Sequence, residues 1–204
     1  MFQLDGKFFG ALSKLSDLVI LNILFLACCL PIVTIGASIT ALYAVTKKMA
    51  EDREGYIFKG FFISFKENFK QSTVMWLILM VPIVIVSFDL NISNLMKEGL
   101  AQTFFKGFLL LAWMLIMFVV IYAFALQSTF ENTVKNTLKN ALLISLAHTP
   151  QSLTMTFLAL SPFIALLYFG EYFGMELLAA LLIWFSGTAY LNSLMLIKIF
   201  KKYM

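Results

Sequence analysis

The stretch LVILNILFLACCLPIVTIGASITALYAV, residues 18–45, decides the fold of this chain. It contains no Asp, Glu, Lys or Arg, and as one helix it would be about 42 Å long at about 1.5 Å per residue. The hydrocarbon core of a membrane is only about 30 Å thick. Pro31 removes a helix hydrogen bond. Gly36 follows soon after it and can take backbone conformations with φ > 0, which we expect the turn to use. We therefore expect two short helices in a tight hairpin broken at Pro31–Gly36, with Thr34 or Ser38 available to cap the second helix.

The composition of the whole chain points the same way. Of its 204 residues, 61% are hydrophobic and 13% are charged, whereas soluble domains average about 45–50% apolar and about 25% charged residues. This balance excludes a soluble enzyme, a disordered chain and a secreted disulfide scaffold. The apolar runs are long and continuous rather than alternating, which also argues against a transmembrane barrel. The sequence predicts an all-α, polytopic transmembrane helical bundle.

Four further apolar segments predict additional membrane helices: 72–88, 104–126, 153–169 and 177–199. With the hairpin they make about six. Two amphipathic segments, 56–70 and 131–147, predict helices that lie on the cytoplasmic membrane surface. Residues 1–14 predict a third short amphipathic helix, for which a cleaved signal peptide is the rival interpretation. A loop is expected over 171–176.

The positive charges predict the orientation of these helices. If residues 18–45 form a hairpin and the N-terminus lies inside, thirteen of the fifteen Lys and Arg residues are cytoplasmic, and only Lys97 and Lys106 are external. A single crossing by residues 18–45 would change the count to eleven and four. We therefore expect a multi-pass protein of the cell membrane with both termini cytoplasmic. Because the charges flank apolar runs, they do not indicate nucleic-acid binding.

The sequence also contains a weak internal repeat with a period of 80 residues. KGFFISFKENFKQSTVMWLILMVP (59–82) aligns without a gap with KNALLISLAHTPQSLTMTFLALSP (139–162). The Gln-Ser pair and the following Met and Pro are identical in both. We expect one integral membrane domain over residues 1–204, with parallel repeat copies at about 15–90 and 97–170 and a final span at 177–199.

No motif for catalysis, cofactor binding or metal binding is present, so no enzyme is expected. His148 lies just before Pro150, where a helix must end, and we interpret it as a helix-terminal residue. Cys28 and Cys29 are adjacent and are interpreted as small packing residues. The polar residues within apolar segments are expected to form hydrogen bonds between helices; they are Asn22, Gln127 and Asn192.

One face of the segment 56–70 combines aromatic and basic residues. Its rings are spaced at three, one, three and four residues, as one face of a helix requires. The expected members of this surface are Phe58, Phe61, Phe62, Phe65 and Phe69, flanked by Lys59, Lys66 and Lys70. Either the rings enter the headgroup region of the bilayer or they meet a protein partner, and both can hold. We expect Phe61, Phe62 and Phe65 to contact a partner.

Three parts of the chain resemble the YesL family of membrane proteins. They are CCLPIVTIGAS (28–38) with ALY (41–43), DREGY (52–56) leading to NFKQST (68–73), and the tail with YLNS (190–193) and FKKY (200–203). That family is a domain of unknown function in Gram-positive bacteria, commonly encoded beside carbohydrate importers of the ATP-binding-cassette type. The resemblance implies a membrane accessory to sugar uptake and assigns no catalytic residues.

We therefore expect a non-enzymatic accessory subunit that contacts the lipid bilayer and a protein partner, either importer permeases or a membrane sensor. An independent transporter or permease subunit is the first alternative, and a regulator of a neighbouring sensor kinase is the second. The spans lack ionisable residues near their centres, which argues against ion-coupled transport.

Overall fold

A computed structural model describes residues 3–53, 55–168 and 173–203. Over these ranges the chain forms helices joined by short connections, without a β-strand. In chain order the elements are α1 (Gln3–Cys29), a 3-10 turn (Ile32–Thr34), α2 (Ile35–Ala50), α3 (Ile57–Ser93), α4 (Leu100–Gln127), α5 (Val134–Ala147), α6 (Thr149–Tyr168), α7 (Phe173–Ala179), a π-helical segment (Ala180–Trp184) and α8 (Phe185–Phe200). The expected all-α class is confirmed.

Four of the described helical stretches are long and apolar enough to cross a membrane. They are Leu12–Cys29 within α1, all of α3, all of α4, and Phe173–Phe200 from α7 to α8. Their outward faces expose large apolar side chains such as Leu77, Val81 and Phe108, as lipid-facing helices do. The chain therefore has the character of an integral membrane protein. The count of six spans remains a prediction.

Helix α2 occupies the centre of the bundle. Most of its residues are buried, because it packs against α1, α3, α4 and α8. At about 1.5 Å per residue its 16 residues span about 24 Å. Hydroxyl groups join it to its neighbours: Thr40 Oγ1 lies 2.8 Å from Ser72 Oγ, and Thr46 Oγ1 lies 2.8 Å from Ser193 Oγ. These bonds pair polar groups that the apolar core would otherwise leave without partners.

Most of the polar connections meet at one end of the bundle, which we call the charged end. Lys14 Nζ lies 2.6 Å from Asp52 Oδ1, so the first half of α1 and the end of α2 are neighbours. The Lys47 ammonium contacts Thr129, and the ring of His148 packs against that of Tyr203 at 6.0 Å. The ends of α2, α4, α5 and α8 therefore come together there, next to the start of α3. At the opposite end α3 turns into α4, where Lys106 Nζ donates to Asn94 Oδ1 at 2.9 Å.

Two expected boundaries are wrong. The interfacial helix expected at 56–70 and the span expected at 72–88 are one continuous helix, α3, of 37 residues. The change from polar to apolar composition near Ser72 is not a break, because no proline or glycine lies there to interrupt the hydrogen bonds. For the same reason the short helix expected at 1–14 is the beginning of α1, at least from Gln3 onward. Part of the loop expected at 171–176 lies outside the described residues, and α7 begins inside its expected range, at Phe173.

The two copies of the expected repeat share buried positions but differ in helical continuity. Ser72 and Ser152 are both buried, as are Met75 and Met155. In the first copy one helix runs through, whereas in the second copy α5 ends at Ala147 and α6 begins at Thr149. Pro150 accounts for the difference, because proline suits the first turn of a new helix and not the interior of an old one. Duplication itself remains a prediction.

Candidate functional site

The break between α1 and α2 lies where the sequence places it, at residues 30–34. The two residues expected as caps, Thr34 and Ser38, contact its backbone, but in a different role. Thr34 Oγ1 lies 2.5 Å from Cys28 O and 2.7 Å from Pro31 O, and Ser38 Oγ donates to Thr34 O at 3.0 Å. Neither hydroxyl caps the start of α2, so that expectation is wrong. The Thr34 hydroxyl instead contacts Cys28 O at the end of α1, where helical donors run out, and Ser38 bonds back within the start of α2.

Helix α3 completes this turn. Trp76 Nε1 donates to Ile32 O at 2.9 Å, which supplies a partner for a carbonyl of the 3-10 turn. Gly36 lies in the first turn of α2 and has a helical backbone conformation, not a left-handed one. The expectation that Gly36 provides a left-handed conformation is therefore wrong. Its role is close approach, because α3 crosses α2 directly against it.

Five phenylalanines in the first turns of α3 form a continuous ladder of rings. Ring centroids are 4.8 Å apart between Phe58 and Phe62, 6.2 Å between Phe61 and Phe65, and 5.6 Å between Phe65 and Phe69. Phe61 also meets Phe62 edge to face at 5.7 Å. Such tilted, edge-to-face and stacked contacts are favourable geometries for aromatic rings. The expected aromatic face is therefore a physical feature of the structure.

The ladder divides into an inner and an outer part. Phe61 is fully buried in the core and cannot contact a partner in this arrangement, which corrects the expectation for that residue. Phe58 and Phe69 are 61% and 40% exposed, and Phe62 and Phe65 are half-buried. We call these four residues, Phe58, Phe62, Phe65 and Phe69, the aromatic strip. The basic residues of this face are all exposed; they are Lys59, Lys66 and Lys70.

The polar residues within the apolar segments join helices, as expected. Gln127 Nε2 donates to Gln71 Oε1 at 2.6 Å, and Asn192 Nδ2 lies 3.5 Å from Met155 O. Asn22 makes the most extensive set of bonds. Its Nδ2 donates to Ala180 O and Leu181 O at 2.9 and 2.8 Å, and its Oδ1 accepts from Ser186 N at 2.9 Å. One α1 side chain thus satisfies the irregular backbone of the π-helical segment.

Two adjacent cavities open at the charged end. The larger, about 750 Å³, lies between α1, the end of α2 and the start of α3. The smaller, about 400 Å³, lies between α2, α3, the connection after α4 and the end of α8. The larger contains the Lys14–Asp52 ion pair on its wall. Both cavities are lined by more basic than acidic residues, so both favour negatively charged groups.

Lys47 is the buried charge of this end. Its side chain is 8% exposed and lines the smaller cavity. The ammonium donates to Thr129 Oγ1, lies 3.5 Å from Ala125 O, and stands 5.9 Å from the centre of the Phe200 ring. All of these partners are neutral. Burial lowers the pKa of Lys47 to about 7, although the nearby Glu51 carboxylate acts in the opposite direction.

The sequence interpretation treated Lys47 only as an orientation signal and missed its burial. The spacing of residues in α2 nevertheless indicates that Lys47 faces inward. Gly36, Thr40, Tyr43 and Lys47 are spaced by four, three and four residues, so they share one helical face. All four are buried. A lysine on the inner face of a helix is worth testing for a specific role, because its charge is costly to bury.

The described residues contain no group of three or more His, Cys, Asp or Glu side chains that could hold a metal ion. Cys28 and Cys29 carry free thiols and pack against the core. His148 ends α5, where its ring nitrogen lies 3.3 Å from Ile144 O. These residues therefore serve packing and helix termination in this structure.

Part of the chain is similar to a known protein family. The model of a family described as a protein of unknown function, DUF624, matches residues 18–90. YesL proteins belong to this domain family. The matched region contains the helix break, the charged end of α2 and the aromatic strip. No curated protein matches the chain. No solved structure matches it either.

Proposed function

We propose that this chain is a membrane-embedded accessory subunit that docks a carbohydrate importer of the ATP-binding-cassette type through its aromatic strip. The resemblance to YesL proteins supports the importer as partner, and the family match over residues 18–90 supports that resemblance. The proposal assigns no catalytic step to the chain. The observation that carries it is the continuity of α3 through the strip.

The length of α3 explains why continuity matters. At about 1.5 Å per residue, 37 residues extend about 55 Å, whereas a bilayer with its headgroups is about 40–45 Å thick. Because α3 is continuous from the aromatic strip into the apolar segment, and its internal proline, Pro82, lies well beyond Ser72, the strip cannot lie flat on the membrane surface while the rest of the helix crosses it. If Ser93 is near the opposite surface, the first turns of α3 project beyond the headgroups. Phe58 would then be exposed to water, and a partner protein would bury it favourably.

The same proposal includes the orientation of the chain. Six membrane helices with cytoplasmic termini would place the charged end, and with it the aromatic strip, on the side where the nucleotide-binding subunits of an importer lie. The Lys14–Asp52 ion pair supports a hairpin that returns to its starting side. The segments that the count of positive charges assigns to the cytoplasm lie together at one end of the bundle, which supports that assignment.

The test is recovery of partners from native membranes. The full chain, expressed at its native level, is extracted in a mild non-ionic detergent, and co-purifying chains are identified by mass spectrometry. Phe58→Ala combined with Phe69→Ala should reduce recovery of an importer permease pair by at least about fivefold, the effect of losing one interface anchor. Phe61 is left unchanged, because its replacement would damage the core.

The matched control is Phe104→Ala combined with Phe108→Ala. These rings are 77% and 68% exposed on α4 and belong to the opposite half of the molecule. This double substitution should leave recovery of the permease pair unchanged. Equal recovery from both double variants would refute the docking role of the strip. A sensor kinase in place of the permeases would refute the importer and support a regulator, and a chain that purifies alone would contradict both.

A further inference from the structure

The smaller cavity at the charged end contains a buried ammonium group without a carboxylate partner. No carboxylate of the described residues lies within ion-pair distance of Lys47 Nζ. Its contacts are a hydroxyl, a carbonyl and a ring face, which orient the charge but do not cancel it. A buried charge of this kind is costly unless an opposite charge joins it.

The other charges around the cavity strengthen this imbalance. The lining includes Lys48 and Glu51 from α2, Arg53 after α2, Glu67 from α3, and Lys201 after α8. Glu51 already accepts from the Arg53 guanidinium. The connection after α4 contributes only the neutral Ser128 and Thr129. Four basic residues therefore face two acidic ones across a space of about 400 Å³.

We propose that this cavity binds a phosphate group, with Lys47 at its base and Lys48, Arg53 and Lys201 at its rim. Several positive groups arriving from different elements suit a tetrahedral oxyanion, which presents acceptor oxygens in several directions. The group can belong to an anionic lipid or to a soluble phosphate compound, since both present the same oxygens. The inference is independent of the importer proposal, because it concerns a different surface of the charged end.

Binding should depend on pH in a defined direction. The pKa of Lys47 is about 7 without an anion, so the protonated fraction of this amine increases as the pH falls below 8. Because an anion is attracted to the protonated amine, it is bound more tightly at lower pH. Sulfate is a suitable probe because its charge is constant from pH 6 to 8. If sulfate binds only when Lys47 is protonated, the dissociation constant of sulfate should rise about tenfold from pH 6 to pH 8.

The experiment measures sulfate binding by calorimetry with the purified full chain in non-ionic detergent, with chloride at matched ionic strength as the reference. Lys47→Met should weaken binding at pH 6 by at least about tenfold and abolish the pH dependence. Lys201→Met, on the exposed rim, should weaken binding about threefold. If Lys47→Met fails to fold, Lys201→Met combined with Arg53→Gln serves as the second test. Lys66→Met, outside the cavity, should bind as the wild type does.

Competition identifies the source of the phosphate. Displacement of sulfate by phosphatidate in lipid nanodiscs, but not by glycerol 3-phosphate, assigns the site to a lipid headgroup. Displacement by glycerol 3-phosphate assigns it to a soluble compound. The proposal is overturned if the wild type shows no saturable sulfate binding, or if Lys47→Met binds sulfate as tightly as the wild type.

Discussion

Gly36 of α2 and Ser72 of α3 approach so closely that no side chain fits between them. A Cβ atom added to Gly36 would lie 2.4 Å from the Ser72 carbonyl oxygen and 2.7 Å from Trp76 Cβ. Carbon atoms in proteins do not approach a backbone oxygen this closely, and the oxygen can move only if α3 moves. This close contact between α2 and α3 therefore depends on glycine, as small residues commonly permit between membrane helices.

We predict that Gly36→Ala destabilises the protein by about 1–3 kcal/mol, the usual effect of overpacking. Alanine favours a helix over glycine by about 1 kcal/mol, but the collision with α3 outweighs this gain. Gly36→Val should be worse, because it adds two more carbons. The measurements are the thermal midpoint and the monodisperse yield in non-ionic detergent.

Gly107→Ala is the control for this prediction. Gly107 lies within α4 and has nothing within 4 Å of an added Cβ, so the change should leave the midpoint unchanged or slightly higher. Pro31→Ala should have a smaller effect than Gly36→Ala, because Pro31 is exposed. A midpoint of Gly36→Val equal to that of the wild type would contradict the close contact.

A second prediction concerns Asn22 and the π-helical segment. Asn22→Leu keeps the branched shape and the number of non-hydrogen atoms but leaves two carbonyls and the Ser186 N–H without this partner. Each unpaired buried group costs about 1–3 kcal/mol, so we expect a loss of at least about 2 kcal/mol by thermal or denaturant unfolding. Asn91→Leu is the control, because Asn91 is exposed and bonds only within its own helix. Equal stability of the two variants would show that Asn22 does not hold the segment.

The sequence was informative where the physical cause is local. Pro31 marks the helix break, and Pro150 marks the division between α5 and α6, because proline acts on its own turn. The end expected for the helix over 131–147 agrees with Ala147 for the same reason, whereas its start is at Val134. The aromatic ladder also followed from helical spacing alone. Only Phe61 was misplaced, since its side of the helix faces the core.

Features that depend on distant parts of the chain were not predictable in this way. The burial of Lys47 requires Thr129 and Phe200, which are far away in sequence. The π-helical segment has no distinctive composition, and its partner, Asn22, comes from the first helix. The role of Gly36 was misjudged because its conformation is ordinary, while its close neighbour, Ser72, belongs to another helix.

A third prediction concerns the stability of the protein without bound anion. The pKa of Lys47 is about 7 in the folded state against an ordinary value of 10.5. At a pH between these two pKa values, Lys47 is protonated in the unfolded state and mostly neutral in the folded state. The contribution of Lys47 to the free energy of unfolding therefore rises with pH from about 7 to 10. Lys47→Met should remove this pH dependence and raise stability at pH 7 by about 1–3 kcal/mol. Thermal unfolding of both proteins in phosphate-free buffer at pH 7 and 9 measures the difference, and parallel pH profiles would contradict the prediction.

The last prediction concerns the side of the membrane on which each end of the bundle lies. In a chain with Cys28 and Cys29 replaced by Ala, single cysteines at Arg53, Lys202 and Met96 would be labelled with a membrane-impermeant thiol reagent in intact cells. Arg53→Cys and Lys202→Cys should react only after the membrane is opened, because both positions belong to the charged end, and positive charge is retained inside. Met96→Cys lies between α3 and α4 at the opposite end and should react in intact cells.

Lys7→Cys decides whether residues 18–45 return to their starting side. The Lys14–Asp52 ion pair leads us to expect protection of Lys7→Cys, together with Arg53→Cys. Labelling of Lys7→Cys from outside while Arg53→Cys stays protected would mean that this stretch crosses the membrane once, and the six-helix arrangement would be wrong.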